Sequence, residues 1–129
     1  MEELDSQLSQ KIETAINKEF KNPFGRPTDI IGFSAVGRKI AESLAPLIGQ
    51  KEICFFDEKI KFDSTFHYLD FEKMFEKTEI MIFTTKLPEK YFENIKQINK
   101  KVKIFVPKEF ESTIRTLRIF GLGQRIIVI

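Results

Sequence analysis

The chain has 129 residues, of which 42% are hydrophobic and 31% charged, so it is long enough to bury about two thirds of its unfolded surface. Its 21 basic and 19 acidic residues leave a formal charge of +2 and are interspersed, which excludes the concentrated basic face of a nucleic-acid-binding protein. A single cysteine, Cys54, excludes an internal disulfide and a multi-cysteine metal site. We expect one domain over residues 1–129, with an N-terminal helix in residues 1–22 and an α/β core in residues 28–129.

The N-terminal segment is predicted to form an amphipathic helix over residues 3–20. Apolar residues recur there at four-residue spacing, namely Leu4, Leu8, Ile12, Ile16 and Phe20. We expect this stripe to pack against the rest of the domain rather than bind a partner. The segment is charged throughout, unlike a signal peptide, and no run in the chain reaches the roughly 18 apolar residues of a membrane span. A cytoplasmic protein without membrane contact is therefore expected.

Beyond residue 28, short apolar segments alternate with helical ones. The predicted strands are residues 29–33, 51–56, 66–69, 79–84, 102–106 and 125–129. The predicted helices are residues 36 to 46 or 48, a brief helix capped by Asp70 and ending at 76, a segment after Pro88 to about 98, and 109–120. Short apolar strands that are each separated by a helix indicate a parallel sheet buried on both faces. The fold class is thus α/β, a doubly wound parallel sheet whose simplest strand order is 3-2-1-4-5-6.

A glycine motif joins the first strand to the following helix in the segment DIIGFSAVGRK. Gly32 and Gly37 match the first and third glycines of the dinucleotide-binding fingerprint, and Ser34 replaces the second. If position 34 needs a positive φ, serine adds about 1 to 2 kcal/mol of strain. If it does not, the hydroxyl can donate to a phosphate oxygen beside the helix amides. The predicted cofactor-binding residues of this loop are Gly32, Phe33, Ser34, Ala35, Val36 and Gly37. Relative to the complete fingerprint, we expect dinucleotide binding to be weakened or abolished.

Polar residues at two further strand ends extend this candidate site. Asp57 ends the second strand, near the position where a carboxylate meets the adenosine ribose, although an ordinary strand-end acid explains it equally well. Strand 4 ends in a segment from which we select Thr84, Thr85, Leu87 and Pro88, because ligands of such sheets lie at the carboxyl edge. Glu58 and Lys59 give no clear signal for a 2′-phosphate. NAD is therefore preferred to NADP as the cofactor.

The order of these features resembles the nucleotide-binding domain of the D-2-hydroxyacid dehydrogenases. Residues 30–37 (IIGFSAVG) are similar to that family's GIIGFGxIG segment, and Asp57 resembles the acid that ends its second strand. Residues 68–75 and 79–88 resemble the next strand–helix unit and the proline-containing loop. The resemblance covers residues 26–106. It implies a Rossmann-like doubly wound sheet of five or six strands, with helices on both faces and NAD as the cofactor.

Three departures from that family concern catalysis. The family has a catalytic arginine after the fifth strand, where residues 106–111 here read VPKEFE, and its later glutamate, histidine and substrate domain have no counterpart. Lys108 is the only local candidate for orienting a substrate carboxylate, and it lacks the bidentate fork of arginine. His67, the only histidine, falls near strand 3, so a structural role is expected for it. Cys54 lies in an apolar run and is expected to be a buried, inert thiol.

Three hypotheses follow for the function. The leading one is a stand-alone Rossmann-like domain that binds NAD or a related adenine nucleotide without complete dehydrogenase machinery. The second is a structural or interaction module that has lost nucleotide binding, which Ser34 favours. The third is a fragment or subunit of an oxidoreductase that another chain completes. The apolar edge strand at residues 125–129 also predicts a homodimer or a partner protein.

Overall fold

The computed structural model describes residues 2–73, 77–91, 94 and 101–129, and their side chains from residue 7 onward. The described residues contain three α-helices: α1 (Glu2–Glu19), α2 (Ala35–Ile48) and α3 (Glu111–Ile119). They contain six strands: β1 (Thr28–Ile31), β2 (Ile53–Phe56), β3 (His67–Tyr68), β4 (Ile80–Phe83), β5 (Lys103–Val106) and β6 (Ile126–Val128). The N-terminal helix, α2 between β1 and β2, and α3 between β5 and β6 are as predicted.

The six strands form one sheet in the order β3-β2-β1-β4-β5-β6, and every pairing is parallel. β1 lies at the centre, with β2 on one side and β4 on the other. This confirms the predicted strand order. The carboxyl ends of β1, β2 and β4 are therefore neighbours, which brings the sequence-predicted site residues to one edge.

Each face of the sheet is covered by its own apolar core. α1 and α2 cover one face, and Ile12 and Ile16 of α1 are completely buried there. The predicted stripe therefore packs on the domain from Leu8 onward, while the side chain of Leu4 lies outside the described residues. Leu8 and Phe20 are partly buried against the same core. The other face packs against α3, through residues that include Leu117. Burial on both faces explains why the strands are continuously apolar rather than alternating.

The observed elements begin or end a few residues away from their predicted positions, for local reasons. β1 ends at Ile31 rather than at residue 33, because Gly32 has a φ of +95° and turns the chain. β2 begins at Ile53 rather than at residue 51, because a 3-10 turn over Gln50–Glu52 precedes it. A second 3-10 turn over Gly123–Arg125 likewise delays β6.

Two of the predicted helices are described only in part. Residues Phe71–Lys73 and 89–91 form 3-10 turns, and the rest of both predictions, apart from residue 94, lies outside the described ranges. The Asp70 carboxylate, predicted to cap the first of them, accepts a hydrogen bond from the Tyr68 hydroxyl at 3.1 Å. Within the described part of the chain, no helix has the length and apolar character that crossing a bilayer requires.

Candidate functional site

Gly32 forms the turn that leads from β1 towards α2. Its φ of +95° is one that L side chains rarely adopt, and an added Cβ would lie 2.6 Å from Thr84 Oγ1. The Thr84 hydroxyl in turn lies 2.9 Å and 2.8 Å from the carbonyl oxygens of Ile31 and Gly32. The turn is therefore held closely against the end of β4. This is the tight-turn position that the first fingerprint glycine occupies.

Gly37 allows the first turn of α2 to pack directly on this loop. A Cβ on Gly37 would lie 2.1 Å from the carbonyl oxygen of Gly32, closer than any two such atoms can approach. Only glycine fits there without backbone movement. The contact matches the role of the third fingerprint glycine, which is close packing of helix and strand.

Ser34 precedes α2 as its N-cap residue. Its φ of −71° and ψ of −171° are extended backbone, so the left-handed strain considered from the sequence does not arise. Its exposed side chain makes no capping hydrogen bond to the helix. The hydroxyl is thus not used on the helix, and the first turn of α2 contains no acidic residue.

Asp57 follows β2 and accepts three backbone hydrogen bonds. Its Oδ2 accepts from Phe33 N–H at 2.8 Å, which links it to the glycine loop. Its Oδ1 accepts from Lys59 N–H at 2.8 Å and from Ile60 N–H at 2.9 Å. Burial acts to raise the pKa of Asp57, but the three amides and the Lys59 charge lower it below its ordinary value. Since each carboxylate oxygen has two acceptor positions, Oδ2 retains one for a further donor.

A cleft of about 210 Å³ opens at this edge of the sheet. Five of the predicted residues line it: Gly32, Ser34, Asp57, Thr85 and Pro88. Four residues that the sequence analysis did not select complete the lining: Ile31, Phe56, Glu58 and Lys59. Their position in the sequence is the only signal for them, because they precede or follow predicted residues at the ends of β1 and β2.

The other predicted residues surround the cleft without lining it. Phe33 is buried, and its ring stacks on Phe55 with centroids 3.9 Å apart. Ala35 and Val36 belong to the first turn of α2. Leu87 is a core residue whose N–H lies 3.2 Å from Thr113 Oγ1 of α3. The sequence placed Leu87 correctly in the loop after β4, but its side chain packs in the interior.

One ion pair involves the cleft residue Glu58. Glu58 Oε2 lies 2.9 Å from Lys90 Nζ, two residues beyond Pro88. The two side chains are 46% and 62% exposed, so solvent screens their attraction. A pair this exposed contributes little to stability.

The remaining reactive residues lie away from the cleft. Cys54 is half-buried rather than buried, and burial, followed by the charges of Asp29 and Glu52, raises its pKa to about 11, which suits an inert thiol. His67 is exposed in β3. Lys108 is exposed and is not among the residues that line the cleft. In the described ranges, no three histidine, cysteine or acidic side chains form a group that could hold a metal ion.

Solved structures supply the comparison. No protein-family model matches the sequence, and no curated protein is significantly similar to it. D-lactate dehydrogenase from Escherichia coli superposes with a TM-score of 0.62 at 14% identity, over 83% of this chain and 38% of that one. NAD-dependent formate dehydrogenase from Staphylococcus aureus, solved in complex with NAD, gives a TM-score of 0.62 at 14% identity, over 81% and 33%. The chain has the Rossmann fold.

A third neighbour, D-lactate dehydrogenase from Lactobacillus jensenii with NAD+, gives a TM-score of 0.57 at 14% identity over 79% of this chain. The described chain spans 34% of that enzyme. It therefore spans about a third of the length of the dehydrogenases that it resembles. At this level of identity the likeness concerns the fold, and the predicted resemblance to the dehydrogenase domain is confirmed at that level.

Proposed function

We propose that this chain binds NAD or a related adenine nucleotide in the cleft between the carboxyl ends of β1, β2 and β4, without complete dehydrogenase machinery of its own. The observation that carries the proposal is the hydrogen bond between Asp57 and the amide of Phe33. It fixes a carboxylate at the end of β2 beside the glycine turn, where a ribose and a phosphate of one nucleotide would both be in reach.

The phosphate would bind at the start of α2. The backbone amides at a helix N-terminus point outward and carry partial positive charge. α2 has 14 residues, so its aligned peptide dipoles place such a charge at this end. No acidic residue in the first turn competes with an anion. The Ser34 hydroxyl, exposed beside the cleft, adds a donor.

The ribose would bind at Asp57. Its lowered pKa keeps the carboxylate ionised at neutral pH, and an ionised carboxylate only accepts hydrogen bonds. With Oδ1 occupied by two amides, Oδ2 can accept from one ribose hydroxyl while it keeps the bond to Phe33. Asp57 thus orients the sugar and also stabilises the loop that receives the phosphate.

Catalysis would need groups from outside the cleft. Lys108 does not line it, and its main-chain N–H donates to the carbonyl oxygen of Ile129 at 2.9 Å. His67 is in β3, on the outer strand of the sheet. A subunit or fragment of a larger oxidoreductase is a second candidate. It is favoured because the chain spans only about a third of the length of the neighbouring dehydrogenases.

An interaction module is the remaining alternative. A groove of about 560 Å³ between α1 and the edge strand β6 supports it, because an unpaired strand edge can accept another chain. Self-association and a cytoplasmic location stay predictions of the sequence.

Thermal unfolding in the presence of NAD, NADH, NADP, ATP and AMP tests the proposal. A ligand at a hundredfold its dissociation constant stabilises the folded state by about 2.7 kcal/mol, which raises the melting temperature by several degrees. Asp57→Ala should abolish this increase, whereas Asp70→Ala, an exposed acid outside the cleft, should retain it. Absence of stabilisation by all five nucleotides would leave the interaction module as the better account.

A further inference from the structure

The outer edge of β6 has backbone groups that the described chain does not pair. In a parallel strand, alternate residues direct their N–H and C=O groups to opposite sides. Ile129 directs both of its groups towards β5, since its N–H donates to Val106 and its carbonyl oxygen accepts from Lys108 N–H, each at 2.9 Å. The N–H and C=O of the preceding residue, Val128, therefore point away from β5. No strand of the described ranges pairs on that side, because β6 ends the sheet.

The edge is open on both faces of the sheet. On one face a groove of about 560 Å³ lies between β6 and α1. On the other face Val128, which is 47% exposed, lines a hollow of about 340 Å³ together with residues of α3. Side chains of a strand alternate between the two faces, so the groove and the hollow give both sets of an added strand room. An extended segment can thus reach the Val128 backbone from solvent.

Basic side chains stand on both sides of this edge. Lys11 and Lys18 of α1 line the groove and are about two helical turns apart, so they lie on the same side of the helix. Arg115 and Arg118 of α3 line the hollow and are likewise neighbours on the helix surface. All four residues are exposed, and the ion pairs of the described side chains involve none of them.

Two acids lie among these cations without balancing them. Glu19 lines the groove, and its Oε1 lies 3.8 Å from Nζ of Lys103 in β5. Glu111 lines the hollow. The cations of the two linings outnumber the acids four to two. Two copies of this edge would therefore repel each other, whereas an acidic partner would be attracted to it.

We propose that the outer edge of β6 binds an acidic, extended segment of a partner protein, which adds a strand to the six-stranded sheet. The Val128 N–H donates to a carbonyl oxygen of the segment, and the Val128 carbonyl oxygen accepts from one of its amides. Acidic side chains on the two faces of the added strand lie against the cations of α1 and α3. The surface shares no lining residue with the cleft at β1, β2 and β4, so the proposal does not depend on nucleotide binding.

Fluorescence anisotropy of the full chain with labelled heptapeptides tests the proposal. The acidic peptide EVEEVEE should bind about tenfold more tightly than KVKKVKK at low ionic strength, and the difference should shrink as salt is added. Val128→Pro removes the outward N–H and no bond to β5, and proline is tolerated at a strand edge whose N–H faces solvent. It should weaken the binding of EVEEVEE about tenfold. Val128→Thr keeps the N–H and the branched shape and should bind as wild type does.

A modified peptide tests strand addition without a change in the protein. EVEEVEE that is N-methylated at every peptide nitrogen keeps its charges and has no backbone N–H groups. It should bind about tenfold more weakly than the unmodified peptide, because the Val128 carbonyl oxygen then finds no donor. Equal binding of the two forms would overturn the proposal, since attraction between charges alone would explain it.

Exchange of charges tests the chemistry of the partner. Lys18→Glu combined with Arg115→Glu changes one cation on each face, and should weaken EVEEVEE about tenfold while it strengthens KVKKVKK. Lys39→Glu combined with Lys51→Glu makes the same change in net charge at exposed residues outside the groove and the hollow, and should keep the wild-type preference. Because all four residues are exposed, both double variants should unfold close to the wild-type temperature.

Three results would overturn the proposal. Equal binding of EVEEVEE and KVKKVKK by wild type, or no binding of EVEEVEE at millimolar concentration, would remove the acidic segment as the occupant. A dimer that Val128→Pro abolishes would assign the edge to a second copy of this chain. Tighter binding of a single-stranded oligonucleotide than of EVEEVEE, lost in Lys18→Glu with Arg115→Glu, would assign the cations to a nucleic acid.

Discussion

Asp29, within β1, and Asp57, which follows the neighbouring strand β2, have opposite surroundings. Asp29 lies within β1, 3% exposed, with Cys54 and Met81 in register on its two sides. It accepts a hydrogen bond from the Thr78 hydroxyl. Burial raises its pKa to about 7, although the Thr78 hydroxyl partly offsets the rise. Asp57, at the carboxyl end of the sheet, has three amide donors and a pKa below its ordinary value.

The two carboxylates differ in their donors: three backbone amides converge on Asp57, whereas the Thr78 hydroxyl donates to the buried Asp29. Where backbone amides converge, an ionised group is stable, and a polar ligand finds donors already oriented. Asp29 is buried and accepts a hydrogen bond from the Thr78 hydroxyl, so ionisation of its carboxyl group is costly. The two acids should therefore affect stability with opposite dependence on pH, and the following variants test that contrast.

The largest effect is expected from Asp29→Asn. Because the folded-state pKa of Asp29 lies above its unfolded value of 3.8, wild-type stability should fall as the pH rises from about 4 to about 7. A rise of the pKa to about 7 corresponds to about 4 kcal/mol at most. Asparagine removes this dependence, so the variant should be more stable than wild type at pH 8. Urea unfolding between pH 4.5 and 8 measures the difference.

Glu72→Gln provides the control for Asp29→Asn, because Glu72 is exposed. It should follow the wild-type pH dependence. A difference between wild type and Asp29→Asn that does not vary with pH would contradict the assignment of a raised pKa to Asp29.

The next largest effect is expected from Gly37→Ala. In an ordinary helix interior this change stabilises by about 1 kcal/mol, but here the new methyl group would lie 2.1 Å from a backbone oxygen. We expect a loss of about 3 kcal/mol in the free energy of unfolding, at the upper end of typical overpacking effects. Chemical denaturation measures it.

Gly123→Ala is the matched control for Gly37→Ala. Its added Cβ would meet only the flexible Arg118 side chain, at 3.4 Å, so the change should stay within about 0.5 kcal/mol. Equal effects of the two substitutions would show that the carboxyl end of β1 is not held by close backbone contact.

Asp57→Asn should have a smaller effect, of about 2 kcal/mol, because the amide keeps one acceptor oxygen and loses the charge that the three N–H groups stabilise. The folded-state pKa of Asp57 lies below its ordinary value of 3.8, so its contribution is present above that pH and is lost on acidification. The stability difference between wild type and variant should therefore be constant from pH 8 to 5 and shrink below about pH 4. A difference that grows with acidification would refute this account.

The smallest effect is expected from Glu58→Gln. The ion pair with Lys90 is exposed on both sides, so its loss should leave the urea midpoint of unfolding almost unchanged. Lys90→Gln and the double variant should behave in the same way. A clear drop in that midpoint would mean that this pair stabilises the fold.

The parts of the fold that depend on periodicity and burial were predictable. Each of three sequence patterns predicts one structure: the apolar stripe of α1, the apolar strands and the two fingerprint glycines. The strand order of the sheet follows from these elements. Several strand boundaries were not predictable to the residue, because a positive φ at Gly32 and 3-10 turns before β2 and β6 decide them. Such turns depend on hydrogen bonds between residues a few positions apart and give no periodic signal.

The candidate site was predictable in outline and not in its contacts. Gly32, Ser34 and Asp57 do converge, because the ends of adjacent parallel strands must meet. The bond from Phe33 N–H to Asp57 and the ion pair from Glu58 to Lys90 join residues 24 or more positions apart, and their geometry exists only in the folded chain. The burial of the Leu87 side chain was unpredictable for a related reason, since it depends on packing against α3.

Amide chemical-shift mapping by two-dimensional NMR during titration with AMP tests the central claim most directly, because it reports where a nucleotide binds. The account predicts the largest shifts at residues 32–37 and 57–60, with the Phe33 amide among them as its bond to Asp57 adjusts. Shifts confined to the groove between α1 and β6, or no shifts at millimolar AMP, would contradict it.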